Sequence, residues 1–119
     1  MGGLRRILDA SRYSAQGLAY AWRMEAAFRQ EAVLAAVLVP AAFWIGRDAI
    51  EIAALIACCL LVLIVELINS AIEATVDRFG DEHHVLAGGA KDMGSAAVLA
   101  SLLLLVCVWG AIIYSRFAA

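Results

Sequence analysis

The chain has 119 residues, of which 65% are hydrophobic, with a mean hydropathy of +0.88 and a formal net charge of −2. A soluble domain carries about half apolar residues, so this excess points to a single integral membrane domain built from helices. The small net charge argues against a nucleic-acid partner. Cys58, Cys59 and Cys107 all sit in apolar runs and read as packing residues rather than a disulfide framework.

Residues 4–28 set Leu4, Ile7, Leu8, Leu18 and Trp22 at helical spacing against Arg5, Arg6, Asp9, Arg12, Gln16 and Arg23. That pattern predicts an amphipathic helix lying at the lipid headgroups; a solvated helix docked on a partner is the alternative. Gly17 offers a place for it to break. The stretch is too polar, and lacks the central apolar core, for a cleaved signal.

The first span is expected over 29–47. Its apolar run, Ala32–Gly46, contains the chain's one proline, Pro40, which predicts a kink. Trp44 suits an interfacial anchor, and Arg47, Asp48 and Glu51 form a tight connection. A second span over 49–69 continues as a polar helix to 78, and Phe79-Gly80-Asp81 ends it. Residues 82–89 read as a polar loop. The third span, 91–115, is uncharged from Met93 to Ser115; Trp109 and Tyr114 form a belt at its far end, and Arg116 closes it.

Orientation follows from the basic residues. Arg5, Arg6, Arg12, Arg23 and Arg29 precede the first span, and Arg78 and Lys91 lie in the second connection; only Arg47 and Arg116 fall on the opposite side. The bias puts the N-terminus and the 77–92 loop in the cytoplasm and the C-terminus outside, as in a bacterial inner membrane.

The stretch V-E-L-I-N-S-A-I-E-A-T-V-D, residues 65–77, carries the chemistry. On a helix Glu66, Asn69, Glu73 and Asp77 fall within a stripe of roughly 80°. A carboxylate near the bilayer centre costs about 2.5–3.5 kcal/mol on insertion scales, so a plain anchor would not keep these groups. The predicted topology gathers them at one membrane face with Glu25, Arg29, Lys91, Asp92 and Ser95. Carboxylates with an amide oxygen suit Mg²⁺ rather than zinc, and nearby cations suit phosphate oxygens. Glu66, deepest and flanked by apolar residues, suits a general base. The set fits phosphoryl transfer, although neither a P-loop nor a protein-kinase motif is present. For Asp77, Asp81 and Glu82 a merely solvated helix end is an equal reading, and His83-His84 reads as an exposed loop pair.

E-A-A-F-R-Q-E (25–31), V-E-L-I-N-S-A-I-E-A-T-V-D-R (65–78) and A-K-D-M-G-S-A-A-V-L (90–99) resemble the signatures of the prokaryotic integral-membrane diacylglycerol kinase family. The similarity runs from about Arg6 to the C-terminus. It implies a homotrimer of three-span subunits, each with an amphipathic surface helix, and active sites at the cytoplasmic boundary between subunits. It also implies transfer of the γ-phosphoryl group of MgATP to the hydroxyl of 1,2-diacylglycerol, giving phosphatidic acid and ADP.

Carried over by position, the resemblance makes Glu66 the catalytic base, with Asn69 beside it. Glu25 and Glu73 hold the Mg²⁺ that bridges the ATP phosphates. Arg6, Tyr13, Asp77, Glu82, His83, His84, Lys91 and Asp92 join them around the nucleotide. Arg6, Trp22, Glu31, Glu66, Ser95 and Trp109 fall where the family meets its lipid. The sequence departs from the family pattern at Asp81, His83 and Gly89, all near the expected nucleotide loop. An undecaprenol kinase of the same family is the nearest alternative activity. A small oligomeric proton-coupled transporter is the alternative from another class; it would want ionisable groups at mid-membrane, where the three apolar runs have none.

Overall fold

The computed structural model describes residues 2–79 and 85–118; Gly80, Asp81, Glu82, His83 and His84 lie outside the described residues, and with them the expected end of the second polar helix and three of the expected nucleotide contacts. Four helices follow one another: α1 (Gly2–Met24), α2 (Ala26–Ile45), α3 (Ala49–Asp77) and α4 (Val85–Phe117). No strand occurs among the described residues. The last three helices are long and apolar enough to cross a membrane.

α3 is the centre of the bundle. It packs along both α2 and α4, which scarcely touch each other. The core seam runs from Ala35, Ala42 and Ile45 on α2, through Leu55, Cys58, Cys59 and Val62 on α3, to Leu105 and Trp109 on α4. Cys58 and Cys59 are therefore packing residues, whereas Cys107 faces outward. Small side chains at Ala42 and Cys59, both essentially inaccessible, let the backbones approach. Close approach of this kind holds membrane helices together where lipid tails are as apolar as the side chains.

The connections follow local chemistry. The Asp48 carboxylate caps α3 by accepting the Glu51 N–H at 2.9 Å. A Cβ on Gly46 would stand 2.9 Å from the Ile52 backbone nitrogen, so only glycine lets the α2–α3 turn close. Arg47 then spans the turn, with Nη2 at 2.7 Å from Glu51 Oε2 and 2.8 Å from Ser115 Oγ, tying α4's last turns to the α2–α3 corner. The same pairing raises the Arg47 guanidinium above its ordinary value.

Several boundaries differ from the sequence expectation. α1 runs unbroken through Gly17, and the chain turns instead at Glu25, whose backbone is extended (φ −118°, ψ 106°). The α1–α2 break therefore falls at residue 25 rather than after 28. Arg29 accounts for it: Nη1 donates to Trp22 O at 2.7 Å and to Arg23 O at 3.1 Å, satisfying carbonyls that α1 leaves open at its end. Pro40 lies inside α2 without interrupting it. Residues 85–89, expected as loop, form the first turns of α4.

Trp109 is not a belt residue. It is 6% exposed, and its Nε1–H donates to Leu55 O at 3.1 Å across the α3–α4 seam. Burying an indole calls for such a partner. Trp44, near the end of α2, is exposed, with its ring 5.9 Å from that of Phe117.

Candidate active site

Apolar residues occupy α3 from Ile52 to Val65, and the polar stripe starts one residue later. Its members grade from inside to outside. Glu66, Asn69 and Ser70 are 4%, 7% and 8% exposed, Glu73 is half-buried, and Asp77 is exposed. Helical spacing sets their bonding, because residues four apart stack on one face. Ser70 Oγ donates to Glu66 Oε2 at 3.4 Å, and Asn69 Nδ2 donates to Glu73 Oε1 at 2.9 Å. At the exposed end Lys91 of α4 meets Asp77 Oδ1 at 3.0 Å, closing α3 and α4 together beside the chain's connection.

Two acceptors in this region have no donor. Asn69 Oδ1 is buried and unpaired, as is Glu31 Oε2 on α2. Glu31 reaches the stripe, since its carboxyl interacts directly with that of Glu66. Buried oxygens without partners are costly, and two in one neighbourhood mark a place suited to a donor or a cation. Asn69 is held there by α4: a Cβ on Gly94 would run into its amide oxygen.

On the other side of α3 lies a cleft of about 510 Å³ between α1 and α3. Leu18 and Ala21 of α1 face Leu67, Ala71 and Ala74 of α3 across it, and Ser14, Tyr20, Glu25 and Ser70 supply its polar groups. Glu66 and Glu73 are not among its lining residues. Glu25, at the helix break, is one of the residues lining the cleft.

The sequence-predicted residues divide accordingly. Glu66, Asn69, Glu73 and Glu31 come together, with Asp77 and Lys91 paired at the rim. Glu25 enters the neighbouring cleft. Arg6 and Tyr13 are exposed on α1, where Arg12 covers the Tyr13 ring at 5.3 Å. Trp22, Asp92 and Ser95 are exposed as well. Trp109 is remote: its partner Leu55 lies eleven positions before Glu66 on α3, roughly 16 Å along the axis.

Sequence reasoning missed two participants. Ser70 carried a readable signal, since it lies four residues beyond Glu66 on the same face. Gly94 carried none without the register of α4 on α3. As for a metal, no group of three or more His, Cys, Asp or Glu side chains able to hold an ion occurs among the described residues. Mg²⁺, however, is commonly bound through one or two carboxylates plus substrate phosphates rather than by an all-protein cage. The half-buried Glu73, the Glu25 carboxylate and the free Asn69 oxygen have the hard-oxygen chemistry such an ion takes.

A family model described as prokaryotic diacylglycerol kinase matches residues 12–113. The diacylglycerol kinase of Escherichia coli (strain K12) is 51% identical over 115 residues, covering 97% of this chain and 94% of that protein. That of Pseudomonas aeruginosa is 53% identical, covering 93% and 90%, and one from Helicobacter pylori (strain 26695) is 45% identical, covering 91% and 84%. With a family model spanning most of its length and relatives about half identical over nearly the full chain, the chain belongs to the prokaryotic diacylglycerol kinase family.

Proposed function

We propose that the protein transfers the γ-phosphoryl group of ATP to the free hydroxyl of 1,2-diacylglycerol, yielding phosphatidic acid and ADP. The observation that carries this reading is near-full-length similarity to proteins named diacylglycerol kinase. The buried Glu66 in a stripe of oxygen ligands supplies the chemistry.

In this reading Glu66 accepts the proton of the lipid hydroxyl. The lipid oxygen bonds to the γ-phosphorus while the bond to the β–γ bridging oxygen breaks, and ADP leaves with that electron pair. Asn69 keeps Glu73 in place through its amide N–H₂. Glu25 and Glu73 would hold Mg²⁺, which neutralises charge on the ATP phosphates when bound. Lys91, Asp92, Asp77, Arg6, Tyr13, Glu82, His83 and His84 surround the nucleotide. The α1–α3 cleft, mostly apolar with Ser14, Tyr20, Glu25 and Ser70 as its polar groups, suits the glycerol end of a lipid; Trp22, Glu31 and Ser95 complete the lipid's surroundings. Trp109 acts at a distance, through core packing.

The protein works as a homotrimer whose sites lie between subunits, as the resemblance implies. It sits in the bacterial inner membrane with the N-terminus inside, which the bias of basic residues supports. α1 lies in the headgroup layer with Leu4, Ile7 and Leu8 towards the acyl chains; all three are exposed on this helix. Purified protein in mixed micelles with Mg²⁺ and labelled ATP tests the assignment. Labelled phosphatidic acid formed from diacylglycerol, in excess over product from undecaprenol, is the expected result. Faster labelling of undecaprenol moves the protein to the other branch, and no lipid labelling refutes the kinase reading.

A further inference from the structure

One buried polar group beside the proposed base has no assigned part. Ser70 stands one turn beyond Glu66, and its hydroxyl donates to Glu66 Oε2. Serine and threonine in apolar helices commonly bond a carbonyl of their own preceding turn. Thr75 does so with Ala71 O at 2.8 Å and Ser101 with Val98 O at 2.7 Å. Ser70 instead turns to a carboxylate. It also lines the α1–α3 cleft beside Glu25, which Glu66 does not. Ser70 is therefore the group that links the cleft to the base. From α2, Glu31 approaches the same carboxyl, with one oxygen of its own unpartnered.

We infer that Ser70 is a positioning residue for phosphoryl transfer, orienting the Glu66 carboxylate towards the cleft. The inference rests on the kinase reading above. A serine hydroxyl has one hydrogen to give, and here Glu66 takes it. Without that bond Glu66 keeps only its contact with Glu31, and its carboxylate is no longer oriented towards the cleft.

The test uses full-length protein in mixed micelles, comparing wild type with Ser70→Ala, Ser70→Thr and Ser101→Ala. Loss of one hydrogen bond to a charged group is expected to lower kcat of S70A about tenfold, with KM for MgATP and for diacylglycerol within about twofold. S70T keeps the hydroxyl and recovers most of the rate. S101A removes an equally buried hydroxyl that bonds only along its own helix, and it keeps the wild-type rate. Wild-type kcat in S70A overturns the inference. So does a loss in S70A that appears in KM, that S101A shares, or that a folded S70T fails to rescue, since each describes a packing role. Should S70T not fold, the kcat–KM split of S70A decides alone. A wild-type protein inactive on lipid would remove the kinase reading and this inference together, whereas an active wild type with an indifferent S70A removes this one only.

Discussion

Gly94→Ala is the substitution for which the structure makes the sharpest demand. A methyl group at this position lands on the Asn69 amide oxygen, at a point where α3 and α4 are in contact and Asn69 is buried. Relief comes in one of two ways. If the amide rotates, the 2.9 Å bond from Nδ2 to Glu73 Oε1 is lost, and a hydrogen bond to a charged group is worth about 1.5–3 kcal/mol. If α4 moves instead, the seam opens, and overpacking of that kind costs about 1–3 kcal/mol. Against either stands the gain of about 0.5–1 kcal/mol from replacing glycine by alanine inside a helix. The net expectation is a destabilisation of about 1–2 kcal/mol, together with a higher Mg²⁺ requirement because Glu73 has lost its support. Gly110→Ala on the same helix is the comparison: its Cβ would meet nothing within the chain, so only the helical gain remains. Denaturant titration in mixed micelles reads stability, and a Mg²⁺ titration of lipid phosphorylation reads the site. A G94A protein as stable as G110A, with unchanged Mg²⁺ dependence, would refute the reasoning.

Glu66→Gln preserves shape and removes the base, so it should bind MgATP nearly as wild type while kcat falls by about 100-fold or more; substantial turnover would rule out the role. Glu73→Ala should raise the Mg²⁺ and MgATP requirements together, measured as parallel shifts in half-saturation, and a shift in neither counts against it as a ligand. Trp109→Ala leaves a cavity in the seam and should cost about 3–5 kcal/mol of stability, while the kinetic constants of the surviving folded protein stay near wild type; a selective rise in lipid KM would instead place the indole at the substrate. Arg47→Ala releases α4 from the α2–α3 corner at the end remote from the site, so thermal stability should fall with KM unchanged.

What was legible in the sequence was what polarity alone reveals. Uncharged runs marked the three apolar helices, and carboxylates at helical spacing marked the face of α3. What was not legible depended on which side of an apolar helix meets another. α4 is apolar almost all round, so periodicity cannot show its inward face, and Trp109 looked like a belt residue from its position near the chain's end. Only the register against Leu55 turns it inward. The same blindness hid Gly94, whose importance lies in a neighbour twenty-five positions away. The early start of α4 has a different cause. Gly88 and Gly89 suggest a loop by composition, yet glycine inside a helix costs only about 1 kcal/mol each, and the helix runs through them. At Glu25 the break was set by Arg29, a side chain that sequence alone would assign to phosphate.

The pattern of pairing on α3 bears on why the stripe exists. A polar face kept for architecture would be neutralised by the helices packed on it. Here, among the described residues, the ion pair from another helix falls at the exposed rim, where Lys91 meets Asp77. Deeper in, Glu66 and Glu73 are served by hydroxyl and amide donors of their own helix, and α2 adds a further carboxyl, Glu31, rather than a positive charge. Gathering acids in this way works against stability, and it leaves buried acceptors at Asn69 and Glu31 unmet. Such an arrangement makes physical sense when the missing positive charge and donors arrive with a ligand. Magnesium, held with nucleotide phosphates, and a lipid hydroxyl would bring both. The stripe's unfavourable electrostatics in the isolated chain are therefore the strongest internal argument that it binds and reacts rather than merely anchors.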